Sequence, residues 1–208
     1  MSLTDKTDPR VAAYGDIDEA NSQLGVVLAS GQLPEPMVTL LNRVQNELFD
    51  VGADLGNPLQ DSYAHEPLRI TQDYVDRLEQ ACDAFGEPLP KLRSFVLPGG
   101  GVAAAHLHVA RTVVRRAERT AWAAVERYGT KAPGGVSQLA ITYLNRLSDL
   151  LFILARAANA ADPSIADDVL WVPGGERTPP ERPRSRANPQ SPAGRQRPAS
   201  PSQEGDPQ

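Results

Sequence analysis

The chain has 208 residues, a formal net charge of −5 and 40% apolar residues. That length suits one domain with an appended segment, and the acidic balance disfavours a nucleic-acid binder. The single cysteine, Cys82, excludes an intrachain disulfide and a CxxC metal site and fits a reducing compartment. No apolar run approaches the roughly 18 residues that span a membrane, and no basic-then-apolar leader opens the chain, so a cytoplasmic, soluble protein is expected.

In chain order, Asp8-Pro9 reads as an N-cap followed by proline at the first helical position. A first helix is expected from Arg10 to about Ala29, with Val11, Tyr14, Ile17, Leu24 and Leu28 as its apolar stripe and Asp16, Asp18 and Glu19 breaking it. Gly31 and Pro34 stop it. A second helix spans about Glu35 to Leu55 on Met37, Leu40, Leu41, Val44, Leu48 and Val51. Residues 60–69 form a polar loop. A third helix runs from about Thr71, a candidate N-cap, to Phe85. In it Cys82 reads as a small buried residue rather than a reactive thiol.

Phe95-Val96-Leu97 leads into Pro98-Gly99-Gly100-Gly101, and that turn opens a long fourth helix, about Val102 to Tyr128. It carries Arg111, Arg115, Arg116 and Arg119. Like charges four residues apart repel by a few tenths of a kcal/mol, so the cluster calls for an anion opposite it. Arg111, Arg115 and Arg119 share a face, and Arg116 lies about 100° away. The guanidinium fork suits polyphosphate. Asp16, Asp18 and Glu19 are alternative carboxylate partners. The glycine turn is either an anion site at a helix N-terminus or a close-approach turn; it is not a Walker A loop.

The fifth helix, about Val136 to Ala160, is apolar nearly all round, which suits a central element or one covered by a partner chain. Its polar residues Asn145, Arg146, Ser148 and Asp149 need partners, either on another helix or on a nucleotide. His65, His106 and His108 show no metal spacing and read as structural. From Pro173 the composition turns to Pro, Arg, Ser, Gln and Gly, and 173–208 is expected to be a disordered tail behind a domain of residues 1–172. Five helices with short connections predict an all-α, five-helix bundle.

Four segments then carry a resemblance: DKTDPRVAAYGDIDEANSQLG (5–25), RVQNELFDVGADL (43–55), FVLPGGGVAAAHLHVARTVVRRAER (95–119) and YLNRLSDLLFILARAAN (143–159). Together they resemble the PduO-type ATP:cob(I)alamin adenosyltransferases. The resemblance implies a homotrimeric five-helix bundle with active sites between subunits. It implies transfer of the 5′-deoxyadenosyl group of ATP to cob(I)alamin, with Mg²⁺ accompanying ATP and no resident metal site. By position, Lys6, Arg115, Arg116, Glu118, Arg119 and Asn145 match ATP-site residues. Asp18 and Arg111 match a carboxylate–arginine pair that bridges subunits. Phe95 matches an aromatic residue that faces the corrin and excludes its lower axial base. A cobalamin reductase and an adenosylcobalamin-dependent acceptor enzyme are candidate partners. The family's Thr/Gly-rich segment of the type TRTGDxGTTGL would precede Met1, so that phosphate loop is expected to be absent. A reading of another class therefore stands beside the enzyme: a non-catalytic corrinoid-binding or carrier protein. The intact RRAER and YLNRLSD segments favour the enzyme.

Overall fold

The computed structural model describes residues 5–31, 33–165 and 168–176. Five helices make up the unit Met1–Val172: α1 (Pro9–Ala29), α2 (Glu35–Gly56), α3 (Gln72–Gly86), α4 (Val102–Tyr128) and α5 (Gln138–Ala161). α1 packs against α2 and α4, and α5 packs against α3, α4 and, more lightly, α2. The all-α expectation holds: among the described residues the only β pairing is one antiparallel bridge, Val96 with Leu170. Pro173–Gln208 is a separate unit, described only as far as a 3-10 turn at Gly174–Glu176. The disorder expected of the tail falls, from residue 177 on, outside the described residues.

Local chemistry sets the helix ends. The Asp8 carboxylate accepts from the backbone N–H of Arg10 at 2.8 Å, and Pro9 costs no hydrogen bond in the first turn. Asp8 also accepts from the Tyr128 hydroxyl, and Arg10 stacks 3.7 Å from the Tyr128 ring centre. The start of α1 is thus tied to the end of α4. Two expected helix starts differ in detail. Thr71 sits at the N-cap of α3 but its hydroxyl caps nothing. α5 starts at Gln138, two residues later than expected, because Ser137 supplies the cap to Ala140 N–H.

The face of α1 differs more. Its buried residues are Ala13, Ile17, Ala20, Asn21, Leu24 and Val27, whereas Val11 and Tyr14 are exposed. The reason lies in α4, whose buried face is also alanine-rich: Ala103, Ala104, Ala110, Ala117, Ala121 and Ala124. Small residues on both helices let the two backbones come close, and a stripe drawn through the largest apolar side chains misses that seam. α5 is central. Leu144, Leu147, Leu150, Leu151 and Leu154 are fully buried within this one chain, so its apolarity carries no argument for a partner subunit.

Several polar groups inside the bundle are paired. Tyr143 donates to Glu47 at 2.9 Å, and Arg77 holds the other Glu47 oxygen at 3.0 Å. Burial, then the Glu47 charge, pushes the Tyr143 hydroxyl pKa well above its ordinary value, so it stays a donor. The 57–70 loop is pinned by Arg69, which donates to Asp54, to the carbonyls of Asn57 and Pro58, and to Tyr63.

Candidate active site

The basic helix distributes its arginines to two sides. On the α1 side, Arg116 pairs with Asp16 at 2.9 Å and with Glu19. Thr120 adds a hydrogen bond to Asp16 at 2.7 Å. The 100° offset of Arg116 from the other arginines accounts for this separation. On the α5 side, Arg111 and Arg115 line a small cleft of about 210 Å³ with Ser148, Asp149, Phe152 and Ile153. Neither forms an ion pair with a described residue. The Arg111 Nε is buried without a partner. Burial, then the charge of Arg115, holds the Arg111 pKa below its ordinary value. A guanidinium whose charge is disfavoured by burial and by a neighbouring arginine is one that an anion would stabilise.

One turn further on, Asn145 of α5 donates to Glu118 of α4 at 3.0 Å, and Arg119 donates to the backbone carbonyl of Arg115 at 3.2 Å. Ser148 Oγ donates to the carbonyl of Asn145 at 2.8 Å. Asp149 is drawn off by Arg146, which also reaches Glu79 across to α3 at 3.1 Å. Arg111, Arg115, Glu118, Arg119 and Asn145 therefore lie along one α4–α5 face. Lys6 is exposed just before α1.

Two expected residues stand elsewhere. Asp18 is exposed beside Tyr14, Asn21, Leu48 and Phe49, where α1 meets α2. Within one chain it forms no ion pair with Arg111. Phe95 is 78% exposed and packs edge-on against Trp171, with ring centres 6.0 Å apart. Its backbone is held by the single bridge: Trp171 N–H donates to the Phe95 carbonyl and Leu97 N–H to the Val169 carbonyl, both at 2.7 Å. Ser94 Oγ adds a bond to the Trp171 carbonyl at 2.8 Å.

The glycine turn resolves as a close-approach turn. Gly100 has φ of +100°, and a Cβ there would collide with the Asn159 side chain. Asn159 accepts from Gly101 N–H at 3.0 Å and donates to the Gly99 carbonyl at 3.2 Å. With that N–H occupied and the Asp162 carboxylate 3.2 Å from where a Gly101 Cβ would lie, the turn is a poor anion site. Cys82 is half-buried, and burial pushes its thiol up to about 11, well away from a nucleophile at neutral pH. His106 is bonded to Gln23 at 2.9 Å and His108 is buried, in keeping with structural roles.

Against this geometry, residues 1–158 match the model of the cobalamin adenosyltransferase family. The chain belongs to that family. A corrinoid adenosyltransferase of Mycobacterium tuberculosis (strain ATCC 25618 / H37Rv) is 56% identical over 178 residues, 86% of this chain and 88% of that protein. One from Bacillus subtilis (strain 168) is 41% identical over 160 residues, 76% and 78% of the two chains. Among solved structures, a single-residue variant of the PduO-type ATP:corrinoid adenosyltransferase from Lactobacillus reuteri, complexed with cobalamin and ATP, superposes with a TM-score of 0.69. It is 34% identical and covers 82% of this chain and 87% of that one.

Two side chains of this cobalamin adenosyltransferase at or beside the candidate site were not singled out from sequence. Asn159 had a weak signal, an amide near the end of α5. Trp171 had none, because its partner Phe95 is far away in sequence.

Proposed function

We propose that this protein transfers the 5′-deoxyadenosyl group of ATP to cob(I)alamin, giving adenosylcobalamin and triphosphate. Family membership supports the reaction. The observation that carries the site is the Arg111–Arg115 pair, which faces the α4–α5 cleft with no carboxylate partner among the described residues. Cob(I)alamin is itself the nucleophile: the cobalt electron pair forms the Co–C5′ bond as C5′–O breaks, and triphosphate leaves. No side-chain base is needed. The chain's task is to orient C5′ and to stabilise charge gathering on the leaving group, which positioned guanidiniums do well in a partly buried cleft.

In this reading Arg115 and Arg119 hold the triphosphate, with Lys6 and Arg116 from the α1 side. Glu118 and Asn145, bonded to each other, orient the rest of the nucleotide. Phe95 faces the corrin and leaves water and the lower axial base poorly accommodated. Asp18 and Arg111 would pair only if a second copy brought α1 of one chain to α4 of another. The exposed Val11, Tyr14 and Phe49 around Asp18 give that contact an apolar surface and support a homotrimer with sites between subunits. No group of three His, Cys, Asp or Glu side chains that could cage a metal occurs among the described residues. An accompanying Mg²⁺ would instead sit mainly on phosphate oxygens and water. No described helix is long and apolar enough to cross a membrane, which agrees with a cytoplasmic enzyme receiving corrinoid from a reductase and passing product to an acceptor enzyme.

The test is anaerobic incubation with chemically reduced cobalamin and ATP, followed by absorbance. Formation of adenosylcobalamin by the purified protein, and its loss in Arg115→Ala, is the expected result. Corrinoid binding without turnover would sink the transferase reading and leave the carrier.

A further inference from the structure

A second cleft lies beside Phe95 and shares no residue with the arginine cleft. It has a volume of about 440 Å³ and is lined by Pro90, Lys91, Leu92, Arg93, Arg156, Asp168 and Leu170, a size typical of small-molecule sites. Its floor is fixed. Arg156, only 8% exposed, donates to Asp168 at 2.7 Å and to the Pro90 carbonyl at 2.7 Å. Its mouth is basic. Lys91 and Arg93 are exposed, and neither has an ion-pair partner among the described residues. Its walls are apolar, from Pro90, Leu92 and Leu170.

The cleft is continuous with the Phe95 segment. Residues 90–93 run directly into Ser94 and Phe95, and Leu170 is the residue that pairs with Val96. Whatever rests on Phe95 can therefore place an appendage in this cleft. Resting on the reading that Phe95 faces the corrin, we infer that the cleft receives the pendant lower nucleotide of cobalamin. That appendage carries one phosphodiester negative charge, a ribose hydroxyl and a flat apolar base. The two unpaired cations suit the phosphodiester, and the leucines and proline suit the base. The fit also supplies a reason for two free cations beside an aromatic residue on a chain whose net charge is −5.

The test compares two corrinoids that differ only in this appendage: cobalamin, and cobinamide, which lacks the nucleotide. The variant is Lys91→Ala with Arg93→Ala, and the charge-reversed Lys91→Glu with Arg93→Glu is the second. The expected result is a KM for cobalamin raised about tenfold, and further in the reversed variant, with unchanged kcat, unchanged KM for ATP and unchanged KM for cobinamide. Equal losses on both corrinoids, or none on either, would overturn the assignment. A raised KM for ATP would show that the cations serve the triphosphate, and would overturn it too. Phe95→Ala separates this inference from the reading beneath it. If Phe95→Ala lowers turnover of cobalamin while the double variants change nothing, the cleft assignment alone fails. If Phe95→Ala leaves turnover unchanged, the corrin does not rest there, and the underlying reading fails first.

Discussion

Arg115 and Arg116 are adjacent in sequence and meet opposite circumstances. Arg116 turns to α1, where Asp16 and Glu19 pair with it. Arg115 turns to α5, where it shares the cleft with another arginine, and the one carboxylate there, Asp149, is already bridged to Arg146. A helix surface can hold a salt-bridged seam on one side and an uncompensated cationic cleft on the other with only 100° between them. The first arrangement holds helices together. The second leaves charge available to a ligand, and stability is not gained by it.

The largest effect should come from Arg115→Ala. Removing a donor aimed at developing charge costs about 10²–10³-fold in turnover, while unfolding free energy should move by no more than about 0.5 kcal/mol, as for a surface change that breaks nothing. Steady-state kinetics and a denaturant midpoint on the same sample check both. A variant that loses stability as much as activity would erase the contrast between the two sides of α4.

Next in size is the seam itself. Ala117 is fully buried on the alanine face of α4. Ala117→Leu inserts three heavy atoms where two backbones come close, and overpacking of that kind costs about 1–3 kcal/mol. Thermal unfolding should show it as a fall of several degrees. An unchanged melting temperature would mean that the α1–α4 seam is loose and that its alanines are incidental.

Arg116→Ala should be smaller. Its ion pairs are part-exposed, and such pairs are worth about 0.2–1 kcal/mol each. This variant sharpens the comparison from the other direction. The family resemblance assigns Arg116 to ATP, while its carboxylate partners assign it to α1. Rate loss as deep as that of Arg115→Ala would mean that Arg116 exchanges its carboxylates for phosphate when ATP arrives. A modest loss would leave it as a strut.

What could be read in the sequence follows the same division. The limits of α4 were legible because Gly101 and Gly129 bracket an uninterrupted pattern. The split of the arginines was legible because helical angles alone separate residue 116 from 111, 115 and 119. The buried face of α1 was legible only in part: Ile17 and Leu24 are buried as expected, but alanines share the contact and size-weighted stripes overlook them. The Phe95–Trp171 pair and the Asn159 lock on Gly100 were not, because each joins residues far apart in the chain, and nothing local announces a contact made only after folding. Asp18 and Arg111 form no ion pair within one chain, and no local pattern could have said so.

The smallest effect concerns His108, one turn before Arg111 on the same helix. It is 2% exposed, packs against Phe152 with ring centres 6.1 Å apart, and neither ring nitrogen has a partner. Burial, then the Arg111 charge, holds its pKa below the ordinary value, with Asp168 pulling weakly the other way. The unfolded imidazole titrates near 6.5, so below about pH 6.5 the unfolded chain binds a proton that the folded chain resists. Stability should therefore be full above that pH and fall as pH is lowered toward the folded pKa. His108→Leu, which cannot titrate, should show a shallower fall in denaturant midpoint between neutral and mildly acidic buffers. An identical slope in both proteins would assign the effect to another group.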